Sequence, residues 1–583
     1  MAAATLDFRN ANSLWGSVLV ETLHRLGLRH AIISPGSRST PLAMAFARHR
    51  GIGAVPVLDE RSAAFFALGL AKRTQRPVVA LCTSGTAGAN YFPAVIEAQE
   101  SGVPLLAITA DRPPEMRECR SGQTIDQQKL FGAHVNFYHE LAVPVMSRPM
   151  LRYLRQAVIQ AWERTTWPSP GPVHLNAPFR DPLAPVADDS TKLLRGRLAA
   201  EDFFAAVAPP PRVLARSEAT GFPVDRRGVI IVGATATGRA PGEAGILAGL
   251  ADDLGWPVLA DGLSGLRGDA ERFPGLITRY DAIVRSARAA RRLQPEVVLC
   301  VGGWPTSKAL RAWLEKCAPE VWLVTTRADN QDALHLATRH LRCGLRAFAE
   351  SVPSARRRPD AYAARWRAAD RAAGRSLAQG LARAHRNFEG TAVTVLAGHL
   401  PALTPVFVAN SMPVRDVEYF WPANNLGHTL HCNRGANGID GTLSTALGLA
   451  HEGRPAVLLT GDLALLHDSN GFLLRPKFKG SLTVVLINNR GGGIFEHLPV
   501  ARFHPPFEEF FATPQAADFR KLCAAHGVVH VAVRNWRQLA GLVGKLPRRG
   551  LRVLEIRTDR KRDAAFRQRL FAAAARAAER AVG

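Results

Sequence analysis

The chain has 583 residues and a formal net charge of +25, a length that accommodates about three to four domains of roughly 150 residues each. Hydrophobic residues make up 47% and charged residues 21%, an ordinary balance for a soluble globular protein, and no uninterrupted apolar run reaches the ~18 residues of a membrane-spanning helix. The seven cysteines are scattered without a C-x-x-C pair, which argues against a disulfide framework or a zinc site.

The N-terminus lacks a basic segment followed by an apolar one, so a cytoplasmic protein with no membrane insertion is expected. The high positive charge raises nucleic-acid binding as one reading. Anionic small substrates and an Arg-rich composition are the other. The basic residues cluster at Ser354–Arg375 and Arg557–Leu570, without interleaved aromatics. Both clusters read as linker or surface-helix segments, and no nucleic-acid partner is expected.

Short β-rich runs alternate with helical patterns from the start. "HAIISPG" (His30–Gly36), "PVVALCTSG" (Pro77–Gly85), "PLLAITADRP" (Pro104–Pro113) and "PVHLNAP" (Pro172–Pro178) read as strands, and "RSAAFFALGLAKR" between the first two reads as a helix. This alternation predicts α/β architecture with doubly wound parallel sheets. The pattern breaks twice, in a Pro/Arg-rich stretch within Leu183–Gly228 and an Arg/Ala-rich one within Val352–Arg386. Three α/β domains follow, at about 1–185, 186–350 and 351–583. In the second, "VIIVGATATGRAPG" (Val229–Gly242) is Gly-rich after a strand but lacks the G-x-G-x-x-G spacing of a dinucleotide site.

The third domain holds two strand-like runs with polar ends. "LLTGD" stops at Asp462, and "LTVVLINNRGG" stops at Asn488-Asn489, about 27 residues downstream of that Asp. Ligands of open α/β sheets bind at the carboxyl ends of strands. An Asp, an Asn side-chain oxygen and a backbone carbonyl would supply half of the oxygen octahedron that Mg2+ prefers. Gly491 would let that backbone approach closely. Ordinary strand-end turns explain the same residues about equally well. Further on, "FEHLPVARFHPPFEEFFATP" (Phe495–Pro514) is either an ordinary long loop or a lid.

"GDLALLHDSN…INNRGG" resembles the signature with which thiamine diphosphate enzymes hold the cofactor diphosphate and its metal. The resemblance implies Mg2+ or Mn2+ ligation by Asp462, Asn489 and the carbonyl of Gly491. Leu463 departs from the Gly that many relatives carry there. In "VLDERSAAFFALGLAK", Glu60 by itself reads as a helix-start carboxylate favoured by the helix dipole. The resemblance gives it a second role: to hydrogen-bond the aminopyrimidine ring and activate the cofactor.

Further motifs narrow the branch. "ISPGSRSTPLA" (Ile33–Ala43), "TSGTAGAN" (Thr83–Asn90), "TADRPPEMR" (Thr109–Arg117), "NRGANGIDGTLSTALG" (Asn433–Gly448) and "GGIFEHLP" (Gly492–Pro499) together resemble one family. It is the 2-succinyl-5-enolpyruvyl-6-hydroxy-3-cyclohexene-1-carboxylate synthases of menaquinone biosynthesis. The resemblance implies pyrimidine-binding, central and diphosphate/metal-binding domains in chain order. It implies a decarboxylating transferase, a carboligase that joins the succinyl semialdehyde carbanion from 2-oxoglutarate to isochorismate. It also implies a homodimer or homotetramer whose active sites lie at the subunit interface.

Residue by residue, the resemblance places substrate contacts on Ser37, Arg38, Arg112, Gln123, Lys308, Ser411, Arg415 and Arg434. Phe495 and Leu498 join them, with Ile494 completing an apolar wall near the cofactor, and Ser37 and Ile439 also contact the cofactor. Gln123 and Ser411 assist proton movement or orientation beside Glu60. Two dicarboxylate substrates suit this arginine set, because a guanidinium fork pairs bidentately with a carboxylate. Two stretches depart from the family pattern: Lys308-Ala309, where relatives often have Lys-Arg, and Cys119–Gly122 ahead of Gln123. The rival readings are another thiamine enzyme, such as a 2-oxoacid decarboxylase or acetolactate synthase, and a basic nucleic-acid-binding protein.

Overall fold

The computed structural model of the chain describes residues 6–195, 198, 200–205, 207–208, 221–234, 242–353, 361–385 and 387–583. The Pro/Arg-rich stretch at 209–220, residues 235–241 of the Gly-containing segment Val229–Gly242 and the basic run at 354–360 lie outside them.

The strands gather into three sheets, in each of which every pairing is parallel. The first holds β1 to β6, at His30–Ile33, Gly53–Pro56, Val78–Cys82, Leu105–Asp111, Phe137–Glu140 and Pro172–Pro178. The second holds β7 to β11, at Gly228–Val232, Val258–Ala260, Val297–Val301, Glu320–Val324 and Ala337–Leu341. The third holds β12 to β17, at Pro405–Val408, Thr429–His431, Ala456–Gly461, Ser481–Asn488, Val529–Ala532 and Gly550–Arg557. The central strands are buried on both faces, which is why they read as near-continuous apolar runs rather than alternating ones.

The first sheet runs β2-β1-β3-β4-β6-β5, and the third repeats this order as β13-β12-β14-β15-β17-β16. The second, β11-β10-β9-β7-β8, is the same winding with one strand fewer. In this winding the order reverses at one point, between β1 and β3 in the first sheet and between β12 and β14 in the third. A crevice opens there at the carboxyl ends of the strands. The segments that follow are Ser34–Arg38 and Thr83–Gly85 in the first sheet, and Asn410-Ser411 and Asp462 in the third.

By compactness the chain divides into two units. One takes Met1–Arg212, Asn433–Glu452 and His467–Gly480; the other takes Val213–Cys432, Gly453–Leu466 and Ser481–Gly583. In the first unit, helix Thr442–Ala450 packs on helix Glu60–Thr74 at glycines. A Cβ at Gly69 would lie 2.0 Å from the Thr445 carbonyl oxygen, and one at Gly448 would lie 2.1 Å from that of Phe66. The two backbones therefore meet at a separation that no larger residue permits. In the second unit, one core cluster joins strands of the second and third sheets to helices Ala361–Ala382 and Arg560–Ala581, with Trp366, Phe388, Trp421 and Ala574 buried within it.

One expectation is corrected here. The basic segment Arg557–Leu570 read as a solvated surface, yet helix Arg560–Ala581 buries Asp563, Ala564, Arg567 and Leu570. Arg567 is 3% exposed. It is tolerated inside because carboxylates surround it, as described below, and an ion pair offsets the cost of desolvating a charge. Among the described residues, no helix is long and apolar enough to cross a membrane.

Candidate active site

The sequence-predicted residues fall into two groups, one in each unit. In the first unit Glu60 opens helix Glu60–Thr74, whose N-cap Asp59 accepts a hydrogen bond from Ser62 N at 2.8 Å. Asn470 in turn donates to the other Asp59 oxygen at 2.7 Å. Glu60 is half-buried, and its charge reaches the buried Cys82 thiol at the end of β3 and the buried Tyr91 hydroxyl after the short helix Thr86–Asn90. Both groups are pushed up, by burial first and by that charge in addition.

Ser37, Arg38, Arg112 and Gln123 all follow β1 or β4 at their carboxyl ends. Ser37 is exposed, and its carbonyl accepts from Thr40 N at 3.0 Å and from the Thr40 hydroxyl at 2.7 Å. Arg38 is 5% exposed; its Nη1 donates to the Phe179 carbonyl at 2.8 Å and lies 3.8 Å from Asp181. Burial, then the neighbouring Arg112 guanidinium, holds its pKa below the usual arginine range. Arg112 donates to Ser84 Oγ at 3.1 Å and to the Gly122 carbonyl at 2.8 Å. Gln123 donates through Nε2 to the Ser84 carbonyl at 3.0 Å and adopts φ +57°. Arg112 and Gln123 therefore meet at Ser84, and Arg38 stands near enough to Arg112 for their charges to interact. The Nε atoms of Arg38 and Arg112 are both buried without an acceptor among the described residues.

Sequence reading missed what holds this cluster. Gln127 is 1% exposed, and its Oε1 accepts from Gly85 N at 2.8 Å. Its Nε2 donates to Asn176 Oδ1 at 3.0 Å, and Asn176 donates to Asp111 at 2.9 Å. Arg117 completes the row by donating to Asp111 at 3.1 Å. A buried Gln among three in one short stretch, Gln123, Gln127 and Gln128, carries no distinguishing signal. Only its partners reveal it.

Arg434 and Ile439 belong to the segment ahead of helix Thr442–Ala450. There Glu97 accepts the Gly435 and Ala436 N–H groups at 3.2 and 2.8 Å, and the Ile439 carbonyl accepts the Thr442 hydroxyl at 2.8 Å.

In the second unit β14 and β15 are paired neighbours, Gly461 opposite Ile487, so Asp462 and Asn489 emerge side by side. Gly491 N donates to Asp462 Oδ2 at 2.8 Å. Burial pushes the Asp462 carboxyl up to about 6, against the pull of the Gly491 N–H and its own helix-start amides; the Glu389 charge adds to the rise. Asn489 is 8% exposed and donates through Nδ2 to Glu389 at 3.1 Å, while its Oδ1 is buried without a donor. The Gly491 carbonyl accepts from Gly493 N at 2.9 Å. The oxygens of Asp462, Asn489 and the Gly491 carbonyl are of the type that hard divalent cations take.

Ile494 and Phe495 lie on the 3-10 turn Gly493–His497, half-buried, and Leu498 follows it, 37% exposed. The loop beyond is built rather than loose. Arg560 donates to Glu496 at 2.9 Å and to the Arg490 carbonyl at 3.0 Å, and it also pairs with Glu508.

Ser411 follows β12 with φ +70° and ψ −129°, a strained conformation for a residue with a side chain, and it precedes helix Met412–Phe420. Arg415 on that helix donates back to the Ser411 carbonyl at 2.6 Å. Lys308 opens helix Lys308–Cys317 behind the N-cap Ser307 and is exposed. Ala309 beside it packs against the core, so no second cation stands there.

Comparison with known proteins agrees with this layout. Residues 15–130 match the thiamine pyrophosphate enzyme N-terminal TPP binding domain, 200–408 the middle domain of thiamine pyrophosphate enzymes, and 413–556 the C-terminal TPP binding domain. Proteins described as 2-succinyl-5-enolpyruvyl-6-hydroxy-3-cyclohexene-1-carboxylate synthase are similar over nearly the full length. That of Gloeothece citriformis is 49% identical over 96% of this chain and 98% of its own. That of Trichormus variabilis is 51% identical over 97% and 98%, and that of Nostoc sp. 50% over 97% and 98%. With its three parallel sheets in matching order, the chain belongs to the 2-succinyl-5-enolpyruvyl-6-hydroxy-3-cyclohexene-1-carboxylate synthase family of thiamine diphosphate enzymes.

Proposed function

We propose that the chain is a thiamine diphosphate- and Mg2+-dependent carboligase. It releases CO2 from 2-oxoglutarate and joins the remaining four-carbon unit to isochorismate, yielding the cyclohexene carboxylate of the family name. The observation that carries this reading is the pair of neighbouring guanidinium groups of buried Arg38 and half-buried Arg112, each with a buried Nε that has no acceptor among the described residues. Two cations kept under-satisfied near one another suit a substrate with more than one carboxylate, and charge-assisted hydrogen bonds are the strong ones. A pyruvate decarboxylase or acetolactate synthase needs fewer cations.

Bound thiamine diphosphate stabilises the negative charge left when a 2-oxoacid loses CO2. The protein's own groups do the rest. Glu60 holds the proton at the aminopyrimidine ring and moves it as a general acid and base. Arg38, Arg112, Arg415 and Arg434 bind substrate carboxylates, with Lys308 adding charge at the edge. Gln123, Ser37 and Ser411 orient the reacting groups. Ile494, Phe495 and Leu498 form an apolar wall that excludes water, and Ile439 supports the cofactor. Asp462, Asn489 and the Gly491 carbonyl hold Mg2+, or Mn2+ in its place. The orphaned Asn489 Oδ1 supports this fit, because a buried acceptor without a donor is costly unless something electropositive meets it.

The same reading assigns 1–185 to pyrimidine binding, 186–350 to a central domain and 351–583 to the diphosphate and metal. It makes the enzyme cytoplasmic, and a homodimer or homotetramer in which each site draws on two subunits. The deciding experiment is a single-turnover assay with thiamine diphosphate, Mg2+ and 2-oxoglutarate, with and without isochorismate. CO2 release with loss of isochorismate absorbance supports the proposal. CO2 release with isochorismate untouched points to a 2-oxoglutarate decarboxylase, and no CO2 from folded protein rejects the assignment.

A further inference from the structure

Glu389 drew no attention in the sequence, yet it is 4% exposed and stands two residues ahead of helix Thr391–His399. Its two oxygens serve different partners. Oε1 accepts from Arg567 Nη2 at 2.9 Å, and Oε2 accepts from Asn489 Nδ2 at 3.1 Å. Arg567 is fixed in turn by Asp416, whose Oδ1 and Oδ2 accept from Nη2 at 2.7 and 3.0 Å. It also lies 3.2 Å from His497 Nε2. Asp416 neighbours Arg415 on helix Met412–Phe420. The Glu389 backbone is tied as well, its N–H donating to Asp563 at 3.0 Å.

The direction of the Asn489 amide follows from the donors and acceptors alone. A guanidinium has only donors and an ionised carboxylate only acceptors. Glu389 must therefore face the NH2 of Asn489, and the amide oxygen must point the other way. That oxygen is Oδ1, the buried atom without a donor.

We propose that Glu389 is a positioning residue for the divalent cation. By holding Asn489 Nδ2 it aims Oδ1 at the metal, and Arg567 fixes Glu389 for that task. The proposal rests on the reading of Asp462 and Asn489 as metal ligands. Residues that orient metal ligands typically change metal affinity about 10- to 100-fold when altered.

Glu389→Gln makes the sharpest variant because it is nearly isosteric. Arg567 would claim the single amide oxygen, leaving an NH2 to face Asn489, whose amide must then flip and turn its own NH2 toward the metal. Glu389→Asp keeps the charge and loses the reach. Mg2+ is titrated calorimetrically into each full-length variant with saturating thiamine diphosphate, and thermal unfolding checks the fold. Both variants are expected to bind Mg2+ at least about tenfold more weakly. The double variant Glu389→Gln/Asn489→Asp is expected to return to within about threefold of the parent, because a carboxylate at 489 accepts from the Gln and still presents an oxygen. Mg2+ affinity within about twofold of the parent in either single variant overturns the proposal, whatever the change in melting temperature. Unchanged Mg2+ affinity in Asp462→Ala instead rejects the metal reading on which it stands.

Discussion

The backbone N–H of Gly491 donates to Asp462 Oδ2 at 2.8 Å, tying together the ends of two neighbouring parallel strands. The bond depends on Gly491 having φ +129°, outside the range of residues with a side chain. A Cβ there would also lie 2.2 Å from the Ala512 carbonyl oxygen. Gly491→Ala is therefore expected to destabilise the protein by more than about 2 kcal/mol, combining backbone strain with a clash. It should also weaken Mg2+ and thiamine diphosphate binding. Chemical denaturation and calorimetry check both, and a variant of parental stability and affinity rejects this account of the turn.

Glu60→Gln keeps the size of the side chain and removes its ability to exchange a proton. Turnover is expected to fall by about 10²- to 10⁴-fold, the usual contribution of a general acid–base group. Asp59, the cap that holds the helix start, is untouched, so the melting temperature should stay near that of the parent. Steady-state kinetics on the holoenzyme give the answer, and parental kcat ends the role assigned to Glu60.

Arg112 spans Ser84 and the Gly122 carbonyl and leaves Nε without an acceptor. A hydrogen bond to a charged group is worth about 1.5–3 kcal/mol. Arg112→Ala is thus expected to raise KM for a dicarboxylate substrate by about 10- to 100-fold, with a smaller change in kcat. The measurement is KM for 2-oxoglutarate and for isochorismate separately. No change in either removes Arg112 from the substrate site.

Asp468 gives a pH prediction away from the chemistry. It is fully buried, with its oxygens accepting from Ser444 N at 2.6 Å and Ser444 Oγ at 3.1 Å. Burial raises its pKa to about 7, while Ser444 and Arg61 oppose the rise. A carboxyl that titrates higher folded than unfolded binds more protons in the native state between the two values. Its stabilising contribution is full below about 4, the unfolded value, and is lost as pH rises toward 7. Asp468→Asn retains both contacts with Ser444 and has no proton to lose. Relative to the parent, it should flatten the decline of stability by about 1 kcal/mol per pH unit across that window. Denaturation midpoints at pH 4.5, 5.5 and 6.5 test it on a scale of about one unit of pH per step, and parallel profiles refute it.

Much of the molecule was readable because the relevant signals are local. Fully buried parallel strands such as β3 and β14 must be apolar throughout, so their alternation with helices announced α/β sheets. Polar residues at the abrupt ends of β14 and β15 marked Asp462 and Asn489. The helical pattern that follows Glu60 marked it as a helix-start carboxylate, and the structure adds Asp59 as the N-cap. Arg38 and Arg112 were legible only inside motifs, since nothing in an Arg-rich chain separates a buried guanidinium from a solvated one.

The amino-acid sequence by itself determined the sheets, the strand ends that carry polar side chains and the family to which the chain belongs. These depend on residue pattern along a few turns or strand lengths. Only the tertiary structure decided which strand ends stand together, that Gln127 supports the Gly85 turn, and that Arg567 leaves its basic run to join Asp416 and Glu389. Arg567 and Glu389 are 178 residues apart in the chain. A charge enters a protein interior only where partners from distant elements offset its desolvation, and hydrophobic periodicity holds no record of such pairings.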